Sequence, residues 1–451
     1  MNSAIFREYD IRGRFPEDLN KDSVYRLGLS VGAYYRNRAA EKVSIGRDCR
    51  LSSPDLEESL IKGLVESGIK VVNIGMVPTP LLYFSIFHLG LDGGVQITGS
   101  HNPPEYNGFK ICLGKTTIHG DEIQKIREIH EKGEFKKGSG NLEEAEVIAP
   151  YLSYLKKNIL PGDIRRKVVI DAGNGVAGMV APYAYTEMGV EVERLFCEPD
   201  GRFPNHHPDP TIPENLKHLT REVLTKSADL GIAFDGDADR IGVVDGEGNI
   251  IWGDQLMIIF SRDLLERNPG ARIIGEVKCS QVLYDDIKKH GGVPIMWKAG
   301  HSLIKSKMKE EGAIFAGEMS GHLFFADRYF GYDDAIYAGA RLLEILSRTD
   351  KSVRELLSGI PHMVNTPEIR IDCPDDKKFR VVAALTEGFK KEYDVIDVDG
   401  ARVLFEGGWG LIRASNTQPA LVLRFEARDE DRLQEIRDLF MDRVEKSPFL
   451  K

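Results

Sequence analysis

The most constraining feature of the chain is a strand–helix alternation that repeats three times and then changes character. Short apolar runs typical of buried strands occur at 43–45, 71–74 and 94–97, then at 167–170 and 231–234, then at 272–274. Helical spacing follows in each cycle, over 54–67, 177–188 and 280–290. The alternation predicts α/β domains, in which polar loops after the strand ends carry the ligand site.

The last part of the chain has a different pattern. Strands are predicted at 368–372, 400–404 and 421–426, before a closing helix over 429–446, which together indicate an α+β domain. A chain of 451 residues is too long to fold around a single hydrophobic core, so several domains are expected. Joints between domains are predicted in the polar or Pro/Gly-rich segments 132–141, 247–254 and 358–367. The glycines at 407–410 predict a mobile segment and a last domain that closes over ligand.

Composition excludes several classes of protein. A net charge of −10 argues against non-specific nucleic-acid binding, and no apolar run approaches the ~18 residues that span a bilayer. Residues 1–13 are charged rather than apolar, which predicts a cytoplasmic protein. The five cysteines are scattered without a CxxC pair, so neither a cysteine zinc site nor a disulfide framework is predicted.

A serine loop directly follows the predicted strand 94–97. Ser100 sits beside a glycine, and a serine hydroxyl needs a base or a cation to act as a nucleophile. His101 is a poor triad base, because adjacent extended residues point to opposite sides, and no GxSxG elbow occurs here. A serine that carries a phosphoryl group instead needs a metal and a fixed loop, and Lys110 adds a nearby ammonium. A plain polar turn is the alternative interpretation.

Three aspartates spaced by two, Asp235, Asp237 and Asp239, follow the predicted strand 231–234. This spacing turns their carboxylates to one side, where they repel unless a cation joins them. Oxygen ligands select Mg²⁺ or Ca²⁺, and open coordination for a phosphate oxygen favours Mg²⁺. An EF-hand also begins DxDxD, but Arg240 stands at the position where an EF-hand has glycine. The Arg240 guanidinium can instead donate two hydrogen bonds to a substrate phosphate. A solvated acidic turn is the alternative.

Two further loops offer groups that recognise sugars and phosphates. Glu318 and Ser320 alternate between glycines, and a carboxylate accepts hydrogen bonds from two adjacent hydroxyls. Lys298 and His301 are candidates for the same cleft. The fourth loop has the composition of a phosphate nest, although each loop taken alone is equally an ordinary turn. Its residues are Arg413, Ser415, Asn416 and Thr417.

Two motifs point to other functions. Gly173–Gly178 matches GxGxxG after a strand, with Glu191, Glu193 and Glu198 in the region of a ribose-binding acid, which keeps an NAD(P)-dependent oxidoreductase as an alternative. No hydride-transfer constellation follows, so a tight structural turn is favoured. The pair His206–His207 suggests a metal site, but adjacent histidines diverge, which favours an ordered loop.

The chain as a whole resembles the α-D-phosphohexomutase family, especially its phosphomannomutase/phosphoglucomutase branch. The four loops occur in the family's order, and segments 6–13 and 205–216 also agree with its pattern. The resemblance implies three similar α/β domains with mixed sheets, plus a C-terminal α+β (helix-grip-like) domain, around a central cleft. The expected domains comprise residues 1–145, 146–252, 253–362 and 363–451.

The resemblance also implies a role for each matching residue. Ser100 carries the phosphate, and the three aspartates bind Mg²⁺ together with it. Glu318 and Ser320 grip the sugar 3- and 4-hydroxyls, while the fourth loop holds the phosphate that is not transferred. Other residues of the cleft are Tyr9, Arg12, Lys110, Arg240, Lys298, His301 and His322. Candidates for the acid and base are His101, Lys110 and His322, with Arg240 beside them.

The implied reaction interconverts hexose 1-phosphate and hexose 6-phosphate through a phosphoserine and a hexose 1,6-bisphosphate. Glucose and mannose differ at carbon 2, which a grip on O3 and O4 barely senses. Met319 fits the mannose/glucose branch, whereas phosphoglucosamine mutases usually carry Gln there. A phosphoglucosamine mutase, a non-catalytic sugar-phosphate binding protein and the oxidoreductase are the alternatives. The expected partners are hexose phosphates and hexose 1,6-bisphosphate, and no binding to nucleic acid or membrane is expected. The expected oligomeric state is a monomer or a homodimer.

Overall fold

The computed structural model describes residues 2–416 and 418–447. Within these ranges the chain forms four β-sheets with flanking helices, three of them mixed and the fourth antiparallel. This confirms the predicted fold class of three α/β units and a C-terminal α+β unit. No helix in the described ranges is both long and apolar enough to cross a membrane.

The first sheet has seven strands, and the serine loop follows its fully buried strand β4. The strands are β1 Ile11–Arg14, β2 Lys42–Arg47, β3 Lys70–Met76, β4 Gly93–Ile97, β5 Tyr106–Leu113, β6 Thr116–Thr117 and β7 Leu142–Glu144. Their order is β1-β5-β4-β2-β3-β7, with β6 against β5. The helices are α1 Lys21–Arg36, α2 Ser53–Glu66, α3 Thr79–His88 and α4 Asp121–Lys132.

The second sheet has the order β12-β11-β10-β8-β9, and the aspartate loop connects its antiparallel strands β10 and β11. The strands are β8 Lys167–Asp171, β9 Glu191–Leu195, β10 Leu230–Phe234, β11 Ile241–Asp245 and β12 Ile250–Ile251. The helices are α5 Ile148–Asn158, α6 Ala181–Glu187 and α7 Lys217–Lys226. Both flanks of the aspartate loop are strands, as the sequence predicts.

The third sheet has the order β14-β13-β15-β16, and the loop with Glu318 connects β15 to β16. The strands are β13 Arg272–Glu276, β14 Val293–Trp297, β15 Phe315–Gly317 and β16 Leu323–Phe325. The helices are α8 Gly253–Arg267, α9 Gln281–Lys289, α10 His301–Glu311, α11 Ala335–Leu346 and α12 Val353–Leu356.

The fourth sheet is antiparallel, and two helices, α13 and α14, pack against it. Its strands are β17 Val364–Asn365, β18 Ile369–Asp372, β19 Asp394–Ile396, β20 Ala401–Phe405, β21 Gly408–Ala414 and β22 Ala420–Ala427. The helices are α13 Asp375–Lys390 and α14 Glu430–Glu445. The fourth loop of the sequence pattern lies between β21 and β22.

Two sequence predictions about local structure are wrong. The helix expected over 177–188 is a short 3₁₀ turn followed by α6, because Pro182 has no N–H and can stand only in the first turn of a helix. The glycines at 407–410 belong to the β20–β21 hairpin, with Trp409 buried between them. By contrast, the segment 247–254 does connect two sheets where a joint is predicted: β12 of the second sheet pairs with β11, and α8, which packs against β15 of the third sheet, begins at Gly253.

The C-terminal domain is attached to the loop after β13 by buried arginines. Nη1 of Arg402 donates to the carbonyl oxygens of Val277 and Cys279, each over 2.7 Å. Its guanidinium also lies 3.8 Å from the ring centre of the buried Trp409, a cation–π contact. Arg424 donates to the carbonyl oxygen of the intervening residue, 278. The C-terminal domain therefore contacts this loop along three consecutive residues.

Candidate active site

A cavity of about 850 Å³ lies where loops from all four sheets meet. The predicted residues that line it are Tyr9, Arg12, Ser100, His101, Lys110, Asp239, Arg240, His301, Glu318, Ser320, His322, Arg413, Ser415 and Asn416. Asp235 and Asp237 are also fully buried, beside the Ser100 hydroxyl and the Lys110 ammonium that reach this cavity. Lys298 is exposed and outside the lining, so its role stays a prediction. Thr417 lies outside the described residues.

Ser100 occupies a constrained turn after β4. Its φ of 50° is rare for a residue other than glycine, so the surrounding structure must hold it there. Its amide donates to Oγ1 of Thr98 and its hydroxyl donates to Oδ2 of Asp235, each over 2.8 Å. The hydroxyl oxygen is thereby fixed against the aspartate loop of the second domain.

His101 approaches the same serine. Its Nδ1 lies 3.1 Å from Oγ of Ser100, so the expectation that adjacent side chains diverge is wrong here, because the backbone at Ser100 is left-handed and not extended. Burial, with the nearby Arg240 and Arg12, holds the pKa of His101 well below its usual value. The imidazole is therefore neutral at pH 7 and able to exchange a proton with the serine oxygen.

Arg50 holds the serine loop in place from behind. Its Nη1 donates to the carbonyl oxygens of Pro103 (2.6 Å) and Tyr106 (2.9 Å). Its Nη2 donates to those of Ser100 (2.8 Å) and Asn102 (2.6 Å). The guanidinium is fully buried, so one side chain satisfies four carbonyl groups of this loop away from water.

We expect Arg50→Met to lower the free energy of unfolding by about 3–5 kcal/mol, because it leaves Asp48 buried without its partner. We also expect kcat to fall more than KM changes, since the serine loop loses its support. Urea unfolding and steady-state kinetics measure both effects. Arg354→Met is the matched control, because its ion pair with Glu247 is exposed and worth at most ~1 kcal/mol. Equal losses in the two variants would contradict the role of Arg50.

The three aspartates of the second loop converge as the sequence predicts. Asp235, Asp237 and Asp239 are each fully buried, with one oxygen of each within 4.8 Å of the others. Thr79, at the start of α3, fixes the loop through its hydroxyl, which donates to Oδ2 of Asp237 over 2.5 Å, and through its amide, which donates to the Asp237 carbonyl. The cluster is therefore held by both the first and the second domain.

The charges around this cluster favour a cation. Nζ of Lys110 donates to Oδ2 of Asp237 over 2.6 Å and also contacts Asp239. Burial and the two neighbouring carboxylates raise the pKa of Asp235 well above its usual value. Oδ1 of Asp237 is buried without a hydrogen-bond partner among the described residues. Three converging carboxylates, with a buried oxygen of Asp237 left without a hydrogen-bond partner among the described residues, fit a hard divalent cation.

The loop between β15 and β16 presents Glu318 to the cavity. The Glu318 side chain is mostly buried, and its Oε1 accepts from the Gly300 amide over 2.7 Å, which fixes the carboxylate. Gly321 makes the turn possible: its φ is 93°, and a Cβ there would lie 2.2 Å from the carbonyl oxygen of Ile241. The adjacent Ser320 and Met319 also line the cavity. The carboxylate is thus held in one position at the cavity wall.

The histidines of the cleft are positioned by charged neighbours. Nε of Arg240 donates to Nε2 of His322 over 3.0 Å, and the rings of His301 and His322 stack with centres 5.5 Å apart. Burial and the neighbouring Lys305 lower the pKa of His301 well below its usual value. Asp333, from the loop before α11, contacts both rings.

The loop after β21 forms the opposite wall. Nε of Arg413 donates to Oδ2 of Asp399 over 2.9 Å, and the buried ion pair raises the pKa of the guanidinium. Oγ of Ser415 accepts from the amide of Gln418, and the Asn416 amide donates to the hydroxyl of Tyr9. A guanidinium, a hydroxyl and an amide therefore converge on one side of the cavity.

Sequence reasoning missed several residues of the cavity wall, including Lys278, Glu368, Arg424 and Asp209. Lys278 was detectable, because it follows β13 directly at the same sheet edge as the other loops. Arg424 was not, since it lies in the middle of β22 and reaches the cavity only through the packing of the last domain. Carboxylates at Glu276 and Glu368 raise the pKa of Lys278 despite its burial, so it is a cation.

The glycine motif at 173–178 has a packing role. A Cβ at Gly175 would lie 2.7 Å from the carbonyl oxygen of Gly236, and one at Gly178 would lie 1.9 Å from that of Cys197. The nearby His206 has a structural partner: its Nε2 lies 3.0 Å from Oδ2 of Asp171. The glycines therefore allow the turn to pack beside the aspartate loop.

We expect the His206–Asp171 pair to stabilise the fold in a pH-dependent way. Burial lowers the pKa of His206, but Asp171 outweighs it, so the pKa is raised overall. The stabilisation is present below the unfolded-state pKa of about 6.5 and is lost as pH rises through the folded-state pKa. His206→Gln should therefore cost up to ~1 kcal/mol more at about pH 5.5 than at about pH 8.5 in urea unfolding. A pH-independent difference would contradict a charged pair; His362→Gln, at an exposed histidine, is the control.

Comparison with family models covers most of the chain. Residues 3–137 match "Phosphoglucomutase/phosphomannomutase, alpha/beta/alpha domain I", and 149–248 and 252–363 match domains II and III of the same series. Residues 368–443 match its C-terminal domain.

Individual relatives are similar over their whole length. A phosphomannomutase/phosphoglucomutase of Pseudomonas aeruginosa is 48% identical over 443 residues, covering 98% of this chain and 96% of the relative. A phosphoglucomutase of Neisseria gonorrhoeae is 46% identical over 454 residues, covering 99% and 98%. A crystal structure of a phosphoglucomutase/phosphomannomutase family protein from Burkholderia thailandensis has a TM-score of 0.93 at 41% identity, covering 100% of this chain and 99% of that one.

Proposed function

The chain belongs to the phosphoglucomutase/phosphomannomutase family and is a phosphohexomutase, and from this premise we propose that it interconverts the 1- and 6-phosphates of mannose and glucose through a phosphoserine at Ser100. The observation that carries the proposal is the Ser100 hydroxyl, 2.8 Å from Asp235 and facing a cavity lined by all four domains. The domain boundaries 145/146, 252/253 and 362/363 are part of the proposal.

The proposed metal is Mg²⁺, held by Asp235, Asp237 and Asp239 with an oxygen on Ser100. When bound, it neutralises the oxygens of the phosphoryl group in transfer. Lys110 adds a fixed positive charge beside these carboxylates, and since Asp237 and Asp239 raise its pKa, it is a charge stabiliser and not a base. The donor set of three carboxylates favours a hard ion.

Substrate recognition is proposed for the opposite wall. Glu318 and Ser320 accept and donate hydrogen bonds at the 3- and 4-hydroxyls, which both hexoses present alike. Arg413, Ser415 and Asn416 hold the phosphate that is not transferred, with Thr417 as a predicted further donor. Tyr9, Arg12 and His301 line the space between the two sites.

Two histidines divide the proton transfers in this proposal. His101 lies 3.1 Å from Oγ of Ser100, where it serves the oxygen that gives and regains the phosphoryl group. His322, whose Nε2 accepts from Arg240, serves the substrate hydroxyl that attacks. The bisphosphorylated sugar then reorients in the cavity, and its other phosphate returns to Ser100. The cytoplasmic location and the monomeric or homodimeric state stay predictions.

The proposal is tested by a Mg²⁺-dependent mutase assay with mannose 1-phosphate and glucose 1-phosphate, paired with phosphopeptide mapping. Conversion of both sugars and phosphate on Ser100 are expected. Conversion of glucosamine phosphate alone would keep the mechanism and overturn the substrate. Absence of both phosphate and turnover, after priming with glucose 1,6-bisphosphate, would overturn the enzyme mechanism.

We expect Glu318→Gln to lower kcat/KM by ~10–100-fold, equally for both hexoses, because the lost charged acceptor is worth about 1.5–3 kcal/mol and O3 and O4 are common to them. Steady-state kinetics with the two 1-phosphates measure this. Glu131→Gln, on the exposed face of α4, is the control. A loss confined to one hexose would contradict the assigned role.

A further inference from the structure

Asp333 is a buried carboxylate to which the proposed reaction assigns no step. It lies in the connection between β16 and α11 and is fully buried. Its backbone forms a β-bridge with Phe324, and the adjacent amide of Asp334 donates to the Leu323 carbonyl over 3.3 Å. The position of Asp333 is therefore fixed against β16, the strand that directly follows His322.

The hydrogen-bond partners of His322 decide which of its ring nitrogens carries the proton. Nε of Arg240 can only donate and lies 3.0 Å from Nε2, so Nε2 must accept. The ring proton is then assigned, from this network, to Nδ1, which lies 3.1 Å from Oδ2 of Asp333. Oδ1 of Asp239 is farther from Nδ1, at 3.7 Å. Asp333 is thus the nearer of the two carboxylates that face the Nδ1 proton.

The other oxygen of Asp333 is held by a lysine of α10. Nζ of Lys305 lies 2.9 Å from Oδ1, and it also lies 4.4 Å from the ring centre of Tyr83 in α3. Oδ2 faces imidazole nitrogens instead, since Nδ1 of His301 is 3.6 Å from it. The two oxygens of Asp333 therefore have different neighbours, and the lysine fixes the rotation of the carboxylate that directs Oδ2 at His322.

We propose that Asp333 is a positioning residue for His322, which keeps the imidazole proton on Nδ1 and leaves Nε2 as the nitrogen that can accept a proton. The inference rests on the proposed function, in which His322 serves the attacking hydroxyl. That hydroxyl takes the place of the Arg240 N–H and gives its proton to Nε2, and the resulting imidazolium faces the negative charge of Asp333. The proton returns to the sugar oxygen that loses its phosphate when Ser100 is phosphorylated again. A carboxylate holds the histidine of serine hydrolases in the same way.

Asp333→Asn is expected to reverse the tautomer of His322. Since Lys305 can donate only to the amide oxygen, the NH₂ group takes the place of Oδ2 and faces Nδ1. Nδ1 must then accept, and the ring proton moves to Nε2. We expect kcat to fall ~10²–10⁴-fold, as for a lost general base, and KM to change by less than ~3-fold. The change in KM is small because Asp333 stands behind the rings and not in the cavity wall. Steady-state kinetics measure both constants.

A double variant separates positioning from a purely structural role. If Asp333 acts through His322, adding Asp333→Asn to His322→Gln should lower kcat by less than ~3-fold further, because the two residues act as a unit. Losses that multiply in full would overturn the proposal. Asp334→Asn is the matched control, since this neighbouring carboxylate is equally buried but accepts from Tyr151 and Tyr329. Its kcat should stay within ~3-fold of the wild type.

Nitrogen-15 NMR of the histidine-labelled full-length protein needs no turnover and gives an answer even where a variant fails to fold. At about pH 8.5, where an ordinary histidine is neutral, it reports which ring nitrogen carries the proton. His322→Gln identifies the signal of this ring. A proton on Nδ1 is expected in the wild type, and on Nε2 in Asp333→Asn.

A wild-type ring that carries its proton on Nε2 would overturn the inference, as would a tautomer that Asp333→Asn leaves unchanged. Turnover and phosphate on Ser100 are measured on the same wild-type sample. A wrong tautomer in an active, phosphorylated enzyme therefore refutes the role of Asp333 alone. Absence of turnover and of phosphate refutes the proposed function itself.

Discussion

Replacement of Ser100 by alanine is expected to lower kcat by at least ~10⁴-fold, while the fold changes little. Loss of the covalent nucleophile costs on the order of 10⁶-fold in a well-studied hydrolase, and no other described hydroxyl donates to Asp235. The phosphopeptide that contains Ser100 should disappear at the same time. Coupled kinetics, mass spectrometry of the peptide and thermal unfolding measure the three quantities.

Ser59→Ala is the matched control for this variant. The Ser59 hydroxyl donates to the Asp55 carbonyl inside α2, away from the cavity, so kcat should be unchanged. Retention of more than about a hundredth of the wild-type kcat by Ser100→Ala would contradict the phosphoserine mechanism. A phosphate found on another serine of the wild type would contradict it as well.

The second large effect is expected for Asp237→Asn. The variant removes one of three carboxylate ligands and the ion pair with Lys110, while the amide oxygen can still accept from the Thr79 hydroxyl. We expect Mg²⁺ affinity to fall at least ~100-fold and kcat ~10³-fold, since outer-sphere changes alone cost 10–100-fold. Calorimetric titration with Mg²⁺ and the dependence of kcat on Mg²⁺ concentration check these values.

Asp376→Asn serves as the control, because this carboxylate is exposed in the first turn of α13. It should leave both quantities unchanged. Full activity of Asp237→Asn at ordinary Mg²⁺ concentrations would contradict a role of the aspartate cluster in Mg²⁺ binding. Some group other than Mg²⁺ would then have to offset the repulsion between the three buried carboxylates.

The predictable parts of this protein are those set by local pattern. Strands β4, β10 and β15 end in polar, glycine-containing loops, and open α/β sheets bring such loops to one edge. Ser100, Asp239 and Glu318 therefore share a cavity, as the sequence indicates. The family resemblance is confirmed by matches to all four domain models.

The parts that sequence did not indicate depend on tertiary packing. Arg50 lies far from Ser100 in sequence, and its four carbonyl acceptors exist only once the loop is folded. The approach of His101 to Ser100 follows from a left-handed backbone that no local pattern marks. Asp333 reaches the histidines through the connection between β16 and α11, which has no sequence motif of its own.

The arginine contacts between the C-terminal domain and residues 277–279 have a mechanical consequence. Since Arg402 donates to both ends of this segment, Lys278 is carried on the same rigid body as Arg413. A rotation of that body relative to Ser100 would change the Ser100–Lys278 and Ser100–Arg413 distances together, and would keep the distance between Lys278 and Arg413 constant. A substitution at Arg402 should therefore alter the spacing between these two cations, and not the positive charge that each of them carries.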